Sequence, residues 1–417
     1  MKKSIRLIAT LLIFVLFSGC TLPWDDSLPG SSALVVSPAS SGTLPTGKDA
    51  CTAVEQRGDY QSLPNSRCRQ MYDKLLSCAQ QITGKKNENG YLIKTANLLT
   101  AKLSDEETKR TVMAFFNDNP QIFWISNQYT YTFTLTGTSV QLYSRVTAQE
   151  RESLQKKLDS IVNQIMKGVT RQQSELEREA TIFNALADRC TYDNAVSADS
   201  KQQDWQPYTA YGALVKGKAV CDGYSRAMQL LCGKAGVQCR LVNGSAKGAA
   251  HIWNLVRIDG KWYHFDATWM DNNVRIYDYF NVTAAIIQKD HKISPVGGDS
   301  SDCNFSLPAA DSMEANYYRK LAVQVSALDR ANRLRIARAL VKAAQQKSTS
   351  IALHIDVNLP YNSTLNQLFN GQPYFFQSCV QYANSALPEK ERLSYAAMQY
   401  STVAAQGGVS VRLAYVN

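Results

Sequence analysis

The sequence predicts an α+β chain built from more than one module. Three observations predict it. Helical periodicity, twice opened by a capping box, recurs along the chain. Period-two alternation bounded by turn residues recurs between those stretches. Near the middle, a cysteine at a helix start is followed by a strand hairpin that carries histidine and aspartate. With 417 residues the chain has room for two or three domains. Hydrophobic residues make up 45% and charged ones 19%, which supports a buried core and excludes global disorder. A mean hydropathy of −0.27 and a single long apolar run exclude a polytopic membrane protein. The net charge is +10, yet no Lys/Arg run reaches five, so nucleic acid is not an expected partner. A solvated basic surface, useful near anionic lipid or cell-wall polymer, is the simpler reading.

Residues 1–19 read as an export signal. Lys2, Lys3 and Arg6 form a positive start, and Leu7 to Phe17 is an apolar run too short to span a bilayer comfortably. Ser18-Gly19-Cys20 resembles a bacterial lipobox, with Phe17 where that pattern usually has Leu. The resemblance implies cleavage before Cys20, lipid attachment at Cys20, and a place on the membrane surface of a bacterial cell envelope. In a Gram-negative cell this is the periplasmic or outer-membrane side. The alternative is an ordinary signal peptide cut near Gly19. Acyl chains on Cys20 would anchor the protein stably, each buried CH₂ contributing ~0.8 kcal/mol. Residues 20–50 read as a flexible tether, rich in Ser, Thr, Gly and Pro and without apolar periodicity. Such a linker has an r.m.s. span of roughly 30 Å.

Residues 51–167 read as an N-terminal α+β module. The stretch 66–82 has helical spacing, with Met71, Leu75, Leu76 and Ala79 on one face. Ser104 and Glu107 form a capping box for a helix reaching about Asn117, which Asn119-Pro120 ends. Residues 123–126, 129–135 and 139–146 are strand-like, with Gly137 as a turn. Thr147 and Glu150 cap a further helix to about Lys167. Residues 168–300 read as a central domain opened by a polar helix over 173–189. Residues 301–417 read as a C-terminal α+β module. It has helix over 313–346, a strand with Ile351, Leu353, Ile355 and Val357 on one face, helix near 362–370, and a last strand over 409–416.

The ten cysteines fit an oxidising compartment. Setting aside Cys20 for lipid and Cys221 for chemistry, eight remain, compatible with up to four disulfides. Cys68 and Cys78 are about 15 Å apart by helical rise, beyond disulfide reach. Cys51 with one of them is plausible, and Cys232 and Cys239 flank a glycine turn across which they can meet. The alternative is that these thiols stay reduced and buried. No CxxC pair is present, so neither a metal nor a cofactor is expected, and a dithiol redox role has no resolving cysteine at the right spacing.

Downstream of Cys221, Tyr224, Ala227, Met228 and Leu231 follow helical spacing and Gly233 stops the run. Cys221 therefore opens a helix, where exposed N–H groups and the dipole favour a thiolate. A half-cystine or buried core thiol is the competing reading of this stretch alone. His251 to Ile258 alternates like a strand, Asp259-Gly260 is a two-residue turn, and Lys261 to Thr268 returns. That turn sets 258 opposite 261, 253 opposite 266 and 251 opposite 268. His251 and Asp266 become diagonal neighbours on one face, close enough for a carboxylate to orient an imidazole. His264, His291 and His354 read as structural. Trp253 and Trp262 read as sheet packing, Trp253 alternatively as a cleft wall. Ser225 reads as packing or capping.

The run Tyr211-Gly-Ala-Leu, Gly217-Lys-Ala-Val-Cys221-Asp-Gly-Tyr-Ser, His251-Ile-Trp-Asn254 and Trp262-Tyr-His-Phe-Asp266-Ala-Thr-Trp269 resembles the transglutaminase-like superfamily, in a bacterial secreted branch. Tyr277 to Phe280 and His291 fit that family's usual tail. The resemblance covers about residues 178–292 and implies a papain-like core with smaller modules on each side. It implies Cys221 as nucleophile, His251 as base and Asp266 as orienting acid. It also implies peptide or protein amides as substrates, attacked to form a thioester that water or an amine resolves. The Cys221 backbone N–H is one natural oxyanion donor, and Tyr211, Tyr208 or Trp205 are candidates for a second. The alternative is a catalytically silent binding or assembly module on the same fold.

Overall fold

The computed structural model describes residues 10–13, 51–99, 102–198, 204–271, 274–297, 303–372 and 374–416. Cys20, the expected cleavage site and the 20–50 tether lie outside the described residues. The chain forms two compact units, Met1–Thr268 with Ala284–Ala310, and Trp269–Thr283 with Asp311–Asn417. Both are mixed helix and sheet, the α+β class expected. No described helix is long and apolar enough to cross a membrane.

In the first unit, α1 (Gly58–Gln61) and α2 (Ser66–Cys78) come first. Asn65 caps α2, its side chain accepting from the Cys68 N–H. Met71, Leu75, Leu76 and Ala79 are buried, the face that the periodicity predicts. Next come β2 (Ile82–Asn87), β3 (Gly90–Ile93) and β4 (Ala96–Leu98), three short strands that the periodicity does not reveal. β2 is almost wholly exposed and β3 half-buried, so no apolar alternation marks them, and the alternation of β4 spans only three residues. Helix α3 (Asp105–Asp118) carries the expected capping box. The two strand-like runs at 123–135 are one strand, β5 (Ile125–Phe133), whose register against β6 (Thr138–Ser144) shifts between Ile125 and Tyr129. That irregularity breaks the period-two pattern into two pieces. Helix α4 (Ala148–Met166) has its own capping box. The sheet runs β1-β5-β6-β3-β2 with β4 also on β6, and β1 (Thr10–Ile13) is antiparallel to β5.

Helix α5 (Glu175–Ala187), capped by Ser174 and Glu177, leads to β7 (Thr191–Tyr192), α6 (Asn194–Ala198) and β8 (Lys218–Ala219). Strands β7 and β8 pair in parallel and deliver the chain to α7 (Cys221–Lys234). An antiparallel sheet follows, in the order β11-β10-β9-β12, from β9 (Gln238–Ala246), β10 (Ala249–Ile258), β11 (Lys261–Phe265) and β12 (His291–Ile293). The turn between β10 and β11 has φ of 49° at Asp259 and 83° at Gly260. Positive φ at both positions makes it a type I′ turn, whose twist matches the strands it joins.

Residues 51–167 and the central sheet are laced into this one unit by buried polar bonds. The Val54 N–H donates to the Gly233 carbonyl at 2.9 Å. Gln56 donates to the Val237 carbonyl at 2.8 Å and accepts from the Cys239 N–H at 2.7 Å. Arg240 pairs with Asp59 at 2.7 Å. Arg226, one turn into α7, pairs with Asp222 at 2.8 Å and donates to the Phe116 carbonyl at the end of α3 at 3.0 Å. Burial pushes the Asp222 carboxyl up to about 6 even though Arg226 pulls it down. Arg226→Met should therefore cost about 3–5 kcal/mol, because it leaves a buried carboxylate unpaired. Without Arg226 the folded carboxyl titrates well above its unfolded value of about 3.9. The deficit should be smallest below that pH and grow as pH rises, which urea unfolding at several pH values measures.

The second unit holds the sheet β13-β14-β16-β15, from β13 (Val323–Val325), β14 (Ser350–Ile355), β15 (Gln399–Val403) and β16 (Gly408–Arg412). Ile336 and Leu340 of the helix Arg330–Gln345, Leu368, and Phe376 of the helix Phe375–Ser385 pack with Leu353 and Val409 in its core. The continuous helix expected over 313–346 is not formed. A short helix Tyr317–Lys320 and the parallel strand β13 precede it, and Asp329 caps the true start by accepting from the Asn332 N–H. Sheet pairing of Val323–Val325 outweighs the local helical spacing. Strand β14 ends at Ile355, leaving Val357 84% exposed instead of in line with the strand.

The expected disulfide framework is also absent among the described residues. Cys68, Cys78, Cys232, Cys239 and Cys379 are buried thiols. Cys68 and Cys78 lie at opposite ends of α2, as the helical rise requires. Cys379 sits in the core of the second unit, where burial pushes its thiol up to about 12. Cys232 and Cys239 do meet across the glycine turn, in side-chain hydrogen-bond contact, and burial together with that contact raises the Cys232 thiol.

Candidate active site

Cys221 is the first residue of α7, and no side chain caps that end. The segment before it is drawn tight against the helix. The Val220 N–H donates to the Pro207 carbonyl at 3.0 Å. A Cβ at Gly223 would collide with the Pro207 carbonyl oxygen and come within 2.8 Å of the Ala219 methyl, so only glycine permits this approach. Cys221 is 7% exposed and packs on Leu241 of β9 and Ile252 of β10. Two bonds hold α7 on β10: the Ser225 hydroxyl donates to the Ile252 carbonyl at 3.0 Å, and the Asn254 amide donates to the Ser225 carbonyl at 3.1 Å. Both β10 partners, Ile252 and Asn254, come directly after His251 in sequence and so help set its distance from the helix start.

The register predicted from the two-residue turn is present from Ile258 opposite Lys261 to Asn254 opposite Phe265. Asp266 follows directly, outside the strand. The Nε2 atom of His251 lies 2.8 Å from Asp266 Oδ2. The Cys221 thiol is in hydrogen-bond contact with the same ring. The structure thus brings Cys221, His251 and Asp266 together in one buried run. Burial works against a charged His251. The Asp266 charge and hydrogen bond, joined by the Cys221 contact, outweigh it and carry the ring up to about 10. Burial likewise opposes ionisation of Asp266, but His251 and the histidine bonds hold its carboxyl well below the usual carboxylate range. The second oxygen, Oδ1, accepts from the Thr268 N–H at 2.9 Å.

A further histidine, read from the sequence as merely structural, belongs to this cluster. His291 opens β12, and its Nε2 lies 3.1 Å from the same Asp266 Oδ2. Its Nδ1 lies 2.6 Å from Asp290 Oδ1. The only available signal for it is its fit to the family's tail, because it lies 25 residues beyond Asp266 with an intervening segment in the other unit. One donor atom each from His251, Asp266 and His291 lies within 4.8 Å of the others, and these groups hydrogen-bond to one another.

Trp253 does not wall an open cleft. It is fully buried, 6.0 Å from the His251 ring at 21° and 5.1 Å from the His291 ring at 70°. Gly244 makes room for it, since a Cβ there would come within 2.6 Å of the indole. The indole N–H donates to His264 Nδ1 at 3.0 Å. Burial first and His291 second push His264 down to about 4, which keeps that nitrogen an acceptor. Tyr211 and Trp205 stack on Phe123 of the N-terminal module, with centroids 4.9 Å and 6.4 Å away, and Tyr208 is buried against α7. Tyr211 and Trp205 thus tie the segment around Pro207, which bonds Val220 just before Cys221, to that module.

A model of the transglutaminase-like superfamily matches residues 159–267. The chain is 30% identical over 124 residues to the human kyphoscoliosis peptidase and 32% identical over 108 residues to its mouse counterpart. These matches take in 27% and 23% of this chain but only 18% and 16% of those proteins. A crystal structure described as a TGase aligns with 42% of this chain and 50% of its own, at 15% identity and a TM-score of 0.26. With the helix-borne Cys221 and the hairpin-borne His251 and Asp266 in one cluster, the matched segment is a transglutaminase-like domain.

Proposed function

We propose that this chain is a cell-envelope lipoprotein whose Cys221–His251–Asp266 site cleaves or transfers peptide and protein amides through a thioester. The observation that carries this reading is the buried run from the Cys221 thiol through His251 to Asp266 at an uncapped helix start. Asp266 holds the imidazole as a cation beside the sulfur, where it can give its proton to a leaving group. The sulfur attacks the amide carbonyl carbon, and the carbonyl electron pair moves to oxygen. The Cys221 backbone N–H is suited to meet that charge. His251 passes its proton to the departing amine, the C–N bond breaks, and a thioester remains. Water or a second amine, deprotonated by His251, then attacks the thioester and restores the thiol. The similarity to proteins named as peptidases favours water in that step.

The test is mass spectrometry of peptides incubated with the purified protein in ¹⁸O-labelled water, with and without an added primary amine. Hydrolysis leaves ¹⁸O on the new carboxylate, and transfer leaves the amine adduct. Neither product above a no-protein control would favour the binding-module reading. Lipid attachment at Cys20 is read directly from the mass of the mature N-terminal peptide; an unmodified Cys20 there removes the anchor.

A further inference from the structure

Asp266 Oδ2 is approached by two imidazole nitrogens, His251 Nε2 at 2.8 Å and His291 Nε2 at 3.1 Å. The Asp266 and His291 side chains are both fully buried. An ionised carboxylate only accepts hydrogen bonds, so each of those nitrogens carries a hydrogen. The remaining nitrogen of His291 faces Asp290, whose side chain is 35% exposed. The ring is walled by Trp253 and lies 5.3 Å from the His251 ring. A continuous run therefore extends from the Cys221 thiol through His251, Asp266 and His291 to Asp290 at the edge of the site. Among the titratable groups around His291, His264 lies behind Trp253 with its Nδ1 engaged by the indole.

Two effects follow. With the Thr268 N–H on Oδ1, His291 makes a third donor to Asp266, so the carboxylate plane cannot turn and the His251 ring keeps its angle to the sulfur. His291 also shares the oxygen that holds His251, so less of that oxygen's charge bears on the His251 proton. A ring that must give its proton to a leaving amine benefits from a weaker hold.

We infer that His291, oriented by Asp290, is a positioning residue for this site: it locks the Asp266 carboxylate and tempers its grip on the His251 proton. The inference rests on the reading of Cys221 and His251 as a reactive pair. Its test is the rate at which iodoacetate alkylates Cys221 in the exported protein, followed by mass spectrometry of the Cys221 peptide across pH. Iodoacetate is an anion, so the rate has an alkaline limb where the neighbouring imidazolium loses its proton. In His291→Phe that limb should move up by about one pH unit, and the plateau should fall several-fold. His291→Gln, whose amide N–H can still reach Asp266, should recover most of the plateau. Asp290→Asn should move the limb in the same direction by less. A folded His291→Phe with an unmoved limb, or a limb moved down, overturns the inference. If His291→Phe does not fold, an Asp290→Asn profile superimposable on wild type overturns it. A wild type that shows no alkaline limb overturns the reactive-pair reading and this inference with it, whereas a wild-type limb that the variants leave in place overturns this inference alone.

Discussion

Cys221→Ala should abolish the proposed amide turnover, and His251→Ala should do the same, each by ~10⁶-fold if the pair works as a nucleophile and base do in other hydrolytic sites. The double variant adds little, because neither group acts without the other. Both proteins should still fold. Cys221 contributes one sulfur to a small cluster with Leu241 and Ile252, and His251 lies at the open end of a strand already paired on both sides. His251→Ala should melt lower, because it takes one partner from the buried Asp266 carboxylate, so its turnover is read well below its own midpoint, where the loss reports chemistry and not unfolding. Product formation is read by mass spectrometry on whichever peptide the wild-type protein turns over. Residual turnover in Cys221→Ala near the wild-type rate would exclude the sulfur as nucleophile.

Asp266→Asn should cost ~10⁴-fold, the scale seen when an orienting carboxylate becomes an amide. The structure explains why an isosteric change is so poorly tolerated here. Asp266 accepts from His251 and His291 on one oxygen and from the Thr268 N–H on the other. An asparagine offers only one acceptor atom, so whichever way it is flipped, an N–H faces an N–H. The pH behaviour changes as well. The Asp266 charge and hydrogen bond are what hold His251 up to about 10 against burial. With them removed, burial prevails and the imidazolium is lost at lower pH, so the alkaline limb of activity moves down. The stability ledger has two sides. A depressed Asp266 stabilises the fold above its unfolded value of about 3.9, and that contribution is lost as pH falls through its folded value. A raised His251 stabilises below about 6.5, and that contribution is lost as pH rises through about 10. Both contributions should vanish in Asp266→Asn, which pH-dependent thermal melts can measure. A variant that keeps the wild-type limb and melting profile would show that Asp266 does not govern His251.

Local signals carried much of the architecture because they depend on neighbours a few residues apart. The boxes at Ser104 and Thr147 fix helix starts through bonds to the third residue on, and both form. The Asp259-Gly260 turn determines its own strand register, and with it the 2.8 Å approach of His251 to Asp266. Helical spacing after Cys221 places the thiol at a helix start without reference to the rest of the chain. Strands β2 to β4 escaped notice because β2 is almost wholly exposed, β3 is half-buried along its length, and β4, which does alternate, is only three residues long. The helix over 313–346 was overextended because pairing of Val323–Val325 with β14 is a long-range interaction.

Sequence by itself determined that Cys221 opens a helix and that His251 and Asp266 must meet. A helix start and a two-residue turn are local structures, and their geometry does not depend on the rest of the molecule. Tertiary structure alone decided the surroundings. It put Trp253 under the histidines instead of at a cleft wall, over a glycine on the neighbouring strand. It buried the thiols of Cys68, Cys78 and Cys379 without a disulfide. It brought His291 and Asp290 onto the far side of Asp266, with 25 residues of chain from Asp266 to His291 and a segment between them that belongs to the other unit. Those contacts arise from strand order and side-chain packing, which depend on residues far apart in the chain and leave no periodic or spacing signal in it.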